Sequence, residues 1–276
     1  MVSILNNVAA LGASRQLEIT NGGLQKTIER LTTGRRINRA SDDAAGLGIS
    51  NKLGADIRIA NQGKRNANDG VSYLQVADGV LDEVTNLLTR AAELSEQAKT
   101  GTISNSNRTN IDAEFQNIIK SIADIGVNTT FNGASIYGAA ATVSVGTFSP
   151  IGISIPVIAS STVSALGLTA NQGATLGTNL QSDTAASAAA GLIMSALESV
   201  SNVRASIGAT MQQITSISNS LGIQVENFTA AYSQIRDANI SDEVVSLTKY
   251  QILNQSGTSA LAQANQSAQS ILSLLK

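Results

Sequence analysis

The chain has 276 residues, a formal net charge of -2, no cysteine, no histidine and only 3% aromatic side chains. These absences remove disulfides, thiolate chemistry, Cys- and His-based metal sites and every Ser-His arrangement, while the near-neutral charge lacks the clustered basic surface that nucleic acid requires. No catalysis, no cofactor and no nucleic acid are expected, and an apolar fraction of 42% carried mainly by Ala, Ile, Leu and Val suits thin helix-on-helix seams better than a thick core.

The only prolines are Pro150 and Pro156, which leaves room for long helices on both sides, since each proline inside a helix would cost about 3 kcal/mol. The opening MVSILNNVAALGASRQLEIT lacks a charged region followed by a continuous apolar stretch, so no secretory signal peptide is expected. No run approaches the ~20 apolar residues of a membrane span. A chain of this kind would need a dedicated apparatus to leave the cell.

From about residue 5 to residue 31 apolar side chains fall at helical spacing, with Leu17, Leu24 and Leu31 a heptad apart and Ile28 between them. Gly34, Arg35 and Arg36 follow as a stop signal. Ser41, Asp42 and Asp43 then offer N-caps for a second helix over about 44–99. Within it Leu74, Leu81 and Leu88 repeat every seventh position and Ala77, Val84, Ala91 and Ala98 follow three behind, the pattern of a coiled-coil seam. The turn-forming GTISNSN at 101–107 leads to a third helix with Ile111, Phe115, Ile118, Ile119, Ile122 and Ile125 on one face. So short a link implies antiparallel packing on the second helix.

The texture changes at Phe131. Asn132-Gly133 signals a tight turn, and Val143, Val145, Ile151, Ile153, Ile155 and Val157 alternate with small or polar residues, so one or two hairpins are expected over about 132–178, with Ser149-Pro150 turning the chain between strands. Helical periodicity then returns as an unbroken heptad series: Ile193, Val200, Ile207, Ile214, Leu221, Phe228 and Ile235. A last amphipathic stretch from about 244 carries Leu253, Leu261, Ala264, Ala268, Ile271, Leu272 and Leu275. The reading is a mainly α chain: long antiparallel coiled-coil-like helices from both ends, with a small β-hairpin region in the middle.

Neither terminal helix has an evident local partner, and isolated helices are marginal in water. Each is expected to bury its stripe on the other and on copies of the same chain. Other motifs read blandly. SDDAAGLGISNKL lacks both the Lys-Ser/Thr ending and the preceding strand of a P-loop, so capping and close packing explain it. The triplets at Asn107 and Asn128 fit the N-glycosylation pattern but arise freely in so Asn- and Thr-rich a chain, and Ser160, Ser161 and Thr162 are better candidates for O-linked sugar.

Several blocks resemble bacterial flagellin. They are IERLTTGRRINRASDDAAGLGISNKL (28–53), KRNANDGVSYLQVADGVLDEV (64–84), TTFNG (129–133), RASIGATMQQI (204–214), YSQIRDANISDEV (232–244) and QILNQSGTSALAQANQSAQSILSLL (251–275). The resemblance covers about 1–137 and 190–276, and about fifty residues stand where many relatives insert large surface domains. It implies a structural subunit that self-assembles into the flagellar filament, a propeller for motility, with 1–44 and 236–276 as paired terminal helices of an inner core and 45–235 as an outer helical domain carrying the hairpins, or alternatively a hook-filament junction protein of the same family. An enzymatic HExxH insert, as some relatives carry, is excluded by the missing histidine.

On this resemblance Leu17, Leu24, Ile28, Leu31, Leu253, Leu261, Ile271, Leu272 and Leu275 pack the filament core. The residues Leu74, Leu81, Leu88 and the series from Ile193 to Ile235 form the coiled-coil seam, and Arg35, Arg36, Arg39, Asp42 and Asp43 set the joint between layers. Arg90, Leu94 and Glu114 match the surface recognised by the innate immune Toll-like receptor for flagellin, although many recognised relatives carry a basic residue where Ala92 stands. Further implied partners are the flagellar export apparatus, a secretion chaperone at the C-terminal helix, the filament cap and hook-associated proteins. The implied location is the secreted, extracellular filament, with no membrane contact.

Overall fold

The computed structural model describes residues 7–136, 142–145, 152–154 and 179–274. Among the described residues five helices and four short strands follow in the order α1 (Val8–Thr33), α2 (Ala44–Lys99), α3 (Asn105–Asn128), β1 (Thr130–Phe131), β2 (Ala134–Ser135), β3 (Thr142–Ser144), β4 (Gly152–Ser154), α4 (Asp183–Arg236) and α5 (Ile240–Leu274). The fold is mainly α, as the periodicity implies, with small antiparallel hairpins in the middle.

Local chemistry sets the element ends. The Asn7 side chain caps α1 by accepting from the Ala10 amide at 3.0 Å, and Gly34 ends the helix in the left-handed conformation at φ 67°. Of the three cap candidates before α2, Asp43 does the work, accepting from the Gly46 amide at 2.8 Å. Ser104 caps α3, Ser182 caps α4 and Asn239 caps α5 through side-chain oxygens. Asn132 and Gly133, at φ 50° and 79°, make the two-residue turn between β1 and β2 that the Asn-Gly signal calls for. The second hairpin pairs Val143 with Ile153; Ile151, Ile155, Val157 and the Ser149-Pro150 turn lie outside the described residues.

Two compact units divide the chain: the central one runs from Arg58 to Val225, and the terminal one joins the residues up to Ile57 with those from Glu226 onward. The division falls inside α2 and α4, away from the helix breaks at 34–43 and 237–239.

In the central unit α2 and α4 run antiparallel and α3 packs back on α2. Small and large residues alternate along α2 (Ala60, Ala67, Leu74, Ala77, Leu81, Val84, Leu88, Ala91), all buried, against Ala186, Ala189, Ile193, Ala196, Val200, Ile207, Ile214 and Leu221 of α4. Phe115, Ile119 and Ile122 bring the face of α3 into the same core. Gly63 and Gly70 keep α2 thin under the second hairpin: a Cβ at Gly63 would meet the Val145 carbonyl oxygen at 3.0 Å, and one at Gly70 would meet a Val143 methyl at 2.9 Å. Arg204 of α4 ties the helices across, donating to Asp78 at 2.9 Å and Asp82 at 2.8 Å. Asp112, buried in α3, accepts from the Leu180 amide at 2.9 Å and the Gln181 side chain at 3.2 Å, and so fixes where the chain re-enters the bundle.

Candidate assembly interface

In the terminal unit α1 and α5 lie antiparallel. Asn7 donates to the Ala264 carbonyl at 3.0 Å near one end, Asn254 donates to Asn21 midway, and Arg30 pairs with Glu243 at 3.2 Å near the other end. The seam between them is made of small and hydroxyl groups more than of leucine. Thr20 and Thr27 are the buried residues of α1, Leu17 sits against Gly257, and the Tyr250 ring covers Gly23 so closely that an added Cβ would stand 2.6 Å from it. Leu17, Leu24, Leu31 and Leu261 are half-buried along this seam.

Other aliphatic side chains are exposed. On α1 Val8, Leu11, Ile19 and Ile28 are 71%, 73%, 61% and 48% exposed, and on α5 Ile240, Val244, Val245, Ile252 and Leu253 are exposed as well. The side chains of Ile271 and Leu272, and all of Leu275, lie outside the described residues. From Tyr250 to Leu275 the sequence carries no charged residue at all. A solvent-facing helix of that length ordinarily displays charge on its outer face; beyond Lys249 α5 shows aliphatic and neutral polar groups there instead, while α1 keeps exposed Arg15, Glu18 and Lys26.

The two helix breaks of this unit meet each other. The Arg36 amide donates to the Arg236 carbonyl at 2.7 Å and the Ala238 amide to the Gly34 carbonyl at 3.0 Å, a one-step antiparallel bridge between Arg35 and Asp237. Side chains reinforce it from within the chain: Arg36 reaches the Ile235 carbonyl at 2.8 Å, Arg39 pairs with Glu29 at 3.1 Å, and Arg36 stands 4.0 Å from Asp43. Asp42 caps no helix; its carboxylate accepts the Arg39 and Asn38 amides at 3.0 and 3.2 Å, and those N–H groups, the Arg39 amide foremost, hold its carboxyl below the ordinary aspartate range. Tyr232 lies beside Gly54 and under the Arg236 guanidinium at 5.7 Å, and Ile37 is wholly buried at the joint.

The outer face of α4 in the central unit repeats the neutral character. From residue 199 to residue 225 its one charged side chain is Arg204, already committed to Asp78 and Asp82, and the exposed positions are occupied by groups such as Ser199, Asn202, Ser206, Ala209, Gln213 and Ser216. The neighbouring α2 is ordinary by contrast, with Lys64, Arg65, Asp69, Glu83, Glu93 and Glu96 all exposed.

The bacterial flagellin N-terminal helical region matches residues 4–142 and the bacterial flagellin C-terminal helical region matches 190–275, together more than half of the chain. The chain belongs to the bacterial flagellins. Among relatives of this flagellin, a flagellar filament 30.7 kDa core protein of Treponema maltophilum is 39% identical over 99% of both chains, flagellin FlaB2 of Treponema pallidum 36% over 99% of both, and a flagellin of Halalkalibacterium halodurans 35% over 99% of both. It is a structural subunit of the flagellar filament, and the names of its relatives do not favour the hook-filament junction alternative. Among the described residues no helix is long and apolar enough to cross a membrane.

The flagellin's other candidate residues are placed as follows. Leu74, Leu81, Leu88, Ile193, Val200, Ile207, Ile214 and Leu221 are buried, while Phe228 and Ile235, in the terminal unit, are half-buried. Arg90 and Glu114 come together at the surface, the guanidinium donating through Nε and Nη2 to Glu114 Oε1 at 3.0 and 2.8 Å, with Glu93 also at 3.1 Å from Arg90. Leu94 departs from the expected trio: it is 1% exposed, inside the seam with Leu88, Ala91 and Ala98, and offers a partner no apolar surface. Thr20, Thr27 and Gly23 of the seam, and Asp237 facing the Arg35 segment, are not among the residues expected from sequence. Their heptad spacing was available for the first two, but their polarity hid it.

Proposed function

We propose that the chain polymerises by covering the outward aliphatic face of its α1–α5 pair with the same face of neighbouring copies, forming the inner layer of a filament, with residues 45–235 as the surrounding layer. The observation that carries this reading is the set of exposed Val8, Leu11 and Ile19 on one side of α1, with Val245 and Ile252 on α5, on helices whose mutual seam includes threonine and glycine. Full burial is worth about 1.5–3 kcal/mol per aliphatic side chain; set against an ordering cost of about 1–2 kcal/mol per residue, these gains add to the helices' own hydrogen bonds and suffice only through extensive contacts shared between copies. The uncharged outer face of α4 suits close lateral packing in the surrounding layer. Packing and torque transmission are then the whole mechanism: the filament serves as an extracellular propeller, the chain performs no catalysis, and curvature arises from interfaces that pack in more than one way.

In this scheme the flagellar export apparatus delivers the chain, a secretion chaperone covers α5 beforehand, and the filament cap and hook-associated proteins bound the polymer. Seeded purified protein should grow into long filaments under negative-stain microscopy, and failure to elongate on any seed would refute the reading. Recognition by the innate immune Toll-like receptor would use the exposed Arg90 and Glu114. Replacing both by alanine should lower receptor signalling from monomer by an order of magnitude or more, as loss of charged hot-spot contacts of ~2 kcal/mol implies; undiminished signalling would remove that role.

A further inference from the structure

Two Asn-Gly pairs occur in the sequence, Asn21-Gly22 and Asn132-Gly133, and the fold treats them oppositely. Gly22 lies in the middle of α1, where its amide is held in the helical ladder, and the Asn21 side-chain oxygen accepts from Asn254. Asn132 and Gly133 instead form the whole loop of the first hairpin. The ladder pairs Phe131 with Ala134, leaving the amides of the two loop residues outside it, and each flanking strand is two residues long. Asn132 is exposed, and nothing lies within 4 Å of the place where a Gly133 Cβ would stand. We infer that Asn132 is a site of spontaneous covalent modification, converting through a succinimide to aspartate and isoaspartate.

The chemistry needs water alone. The Gly133 backbone nitrogen attacks Cγ of Asn132, a C–N bond closes the succinimide, and the side-chain nitrogen leaves as ammonia, taking the amide proton. Water then adds at one of the two ring carbonyls and a ring C–N bond breaks, giving aspartate or, with an extra methylene in the main chain, isoaspartate. Ring closure requires the Asn backbone to rotate and the following amide to be free. The helix forbids both at Asn21, whereas a two-residue loop between two-residue strands opens locally at small cost. Asp69-Gly70 and Asp78-Gly79, which could form the same ring more slowly, are likewise held inside α2. The product adds a negative charge at the turn, and the isoaspartate form no longer fits the left-handed pair of residues on which β1 and β2 close.

Full-length protein, assembled so that α1 is ordered, is aged at mildly alkaline pH and mapped by peptide mass spectrometry, with isoaspartate detected by enzymatic methyl transfer. A sample held unfolded in urea serves as reference for the two pairs. The peptide bearing Asn132 should accumulate acid and isoaspartate several times faster than the peptide bearing Asn21 in the assembled protein, and the gap should close in urea. Asn132 remaining amide while the urea reference converts would overturn the inference, as would Asn21 keeping pace with it in the assembled protein.

Discussion

A chain cut after Ala238, lacking α5, is expected to form no filaments while its central unit melts as in the full-length protein. The loss is large because α5 supplies both halves of the terminal interface. Its inner side gives α1 the Glu243 partner of Arg30, the Ala264 carbonyl for Asn7 and the Gly257 surface under Leu17; its outer side presents Val244, Val245 and Ile252. Alone in water, a helix of 26 residues with threonine and glycine at its seam is marginal. The residues from Arg58 to Val225 keep their own buried cluster and need none of these contacts. Negative-stain microscopy and calorimetry of the truncated protein check the two halves of the expectation separately, and filaments of ordinary length from the cut chain would defeat it.

Ile207→Ala should have the opposite signature, unfolding the central unit more easily by about 2–5 kcal/mol, the range for emptying a buried aliphatic site. Ile207 is fully buried at the centre of the α4 heptad series, between Val200 and Ile214, and the two facing helices are held at fixed spacing by Arg204 and the two aspartates of α2. Helices tied in this way collapse poorly onto a void, which places the cost toward the upper part of the range. The matching change at exposed Ile223, Ile223→Ala, should stay within ~0.5 kcal/mol. Urea unfolding followed by circular dichroism distinguishes them; equal midpoints for the two variants would show that the heptad seam is not the core.

Much of this was legible from residue spacing because each long helix buries one stripe for its whole length. The series Ile193 to Leu221 and the leucines of α2 give the seam directly, and the bounds of α2 follow from Asp43 before it and the turn-forming Gly101 after it. Asn132-Gly133 likewise fixes its own turn, since the conformation is a property of the dipeptide. What spacing conceals is anything settled by a distant segment. Arg35 meets Asp237 across two hundred positions through backbone groups that every residue possesses, so no side-chain pattern announces the bridge. Asp112 resembles any helical acid until Leu180 arrives beside it. Leu94 reads as a surface residue from its matching motif and falls one position before the heptad slot that Ser95 fills; it is buried in one cluster with Phe115, Ile118 and Ile119 of α3, which the spacing of α2 alone does not announce.

The terminal helices raise the same issue in reverse. Leucines alone suggest that α1 and α5 meet through an ordinary apolar stripe, whereas Thr20, Thr27, Gly23 and Gly257 occupy the contact and isoleucines and valines face away. That arrangement wastes apolar surface in a monomer and uses it in a polymer.

Amide hydrogen exchange measured on monomer and on filament compares the two states directly. The monomer should exchange rapidly along 8–33 and 240–274 and slowly along 60–98 and 186–221, with the terminal segments becoming slow only in the filament. Strong protection of both terminal segments in the monomer, unchanged on assembly, would contradict the dependence of these helices on neighbouring subunits.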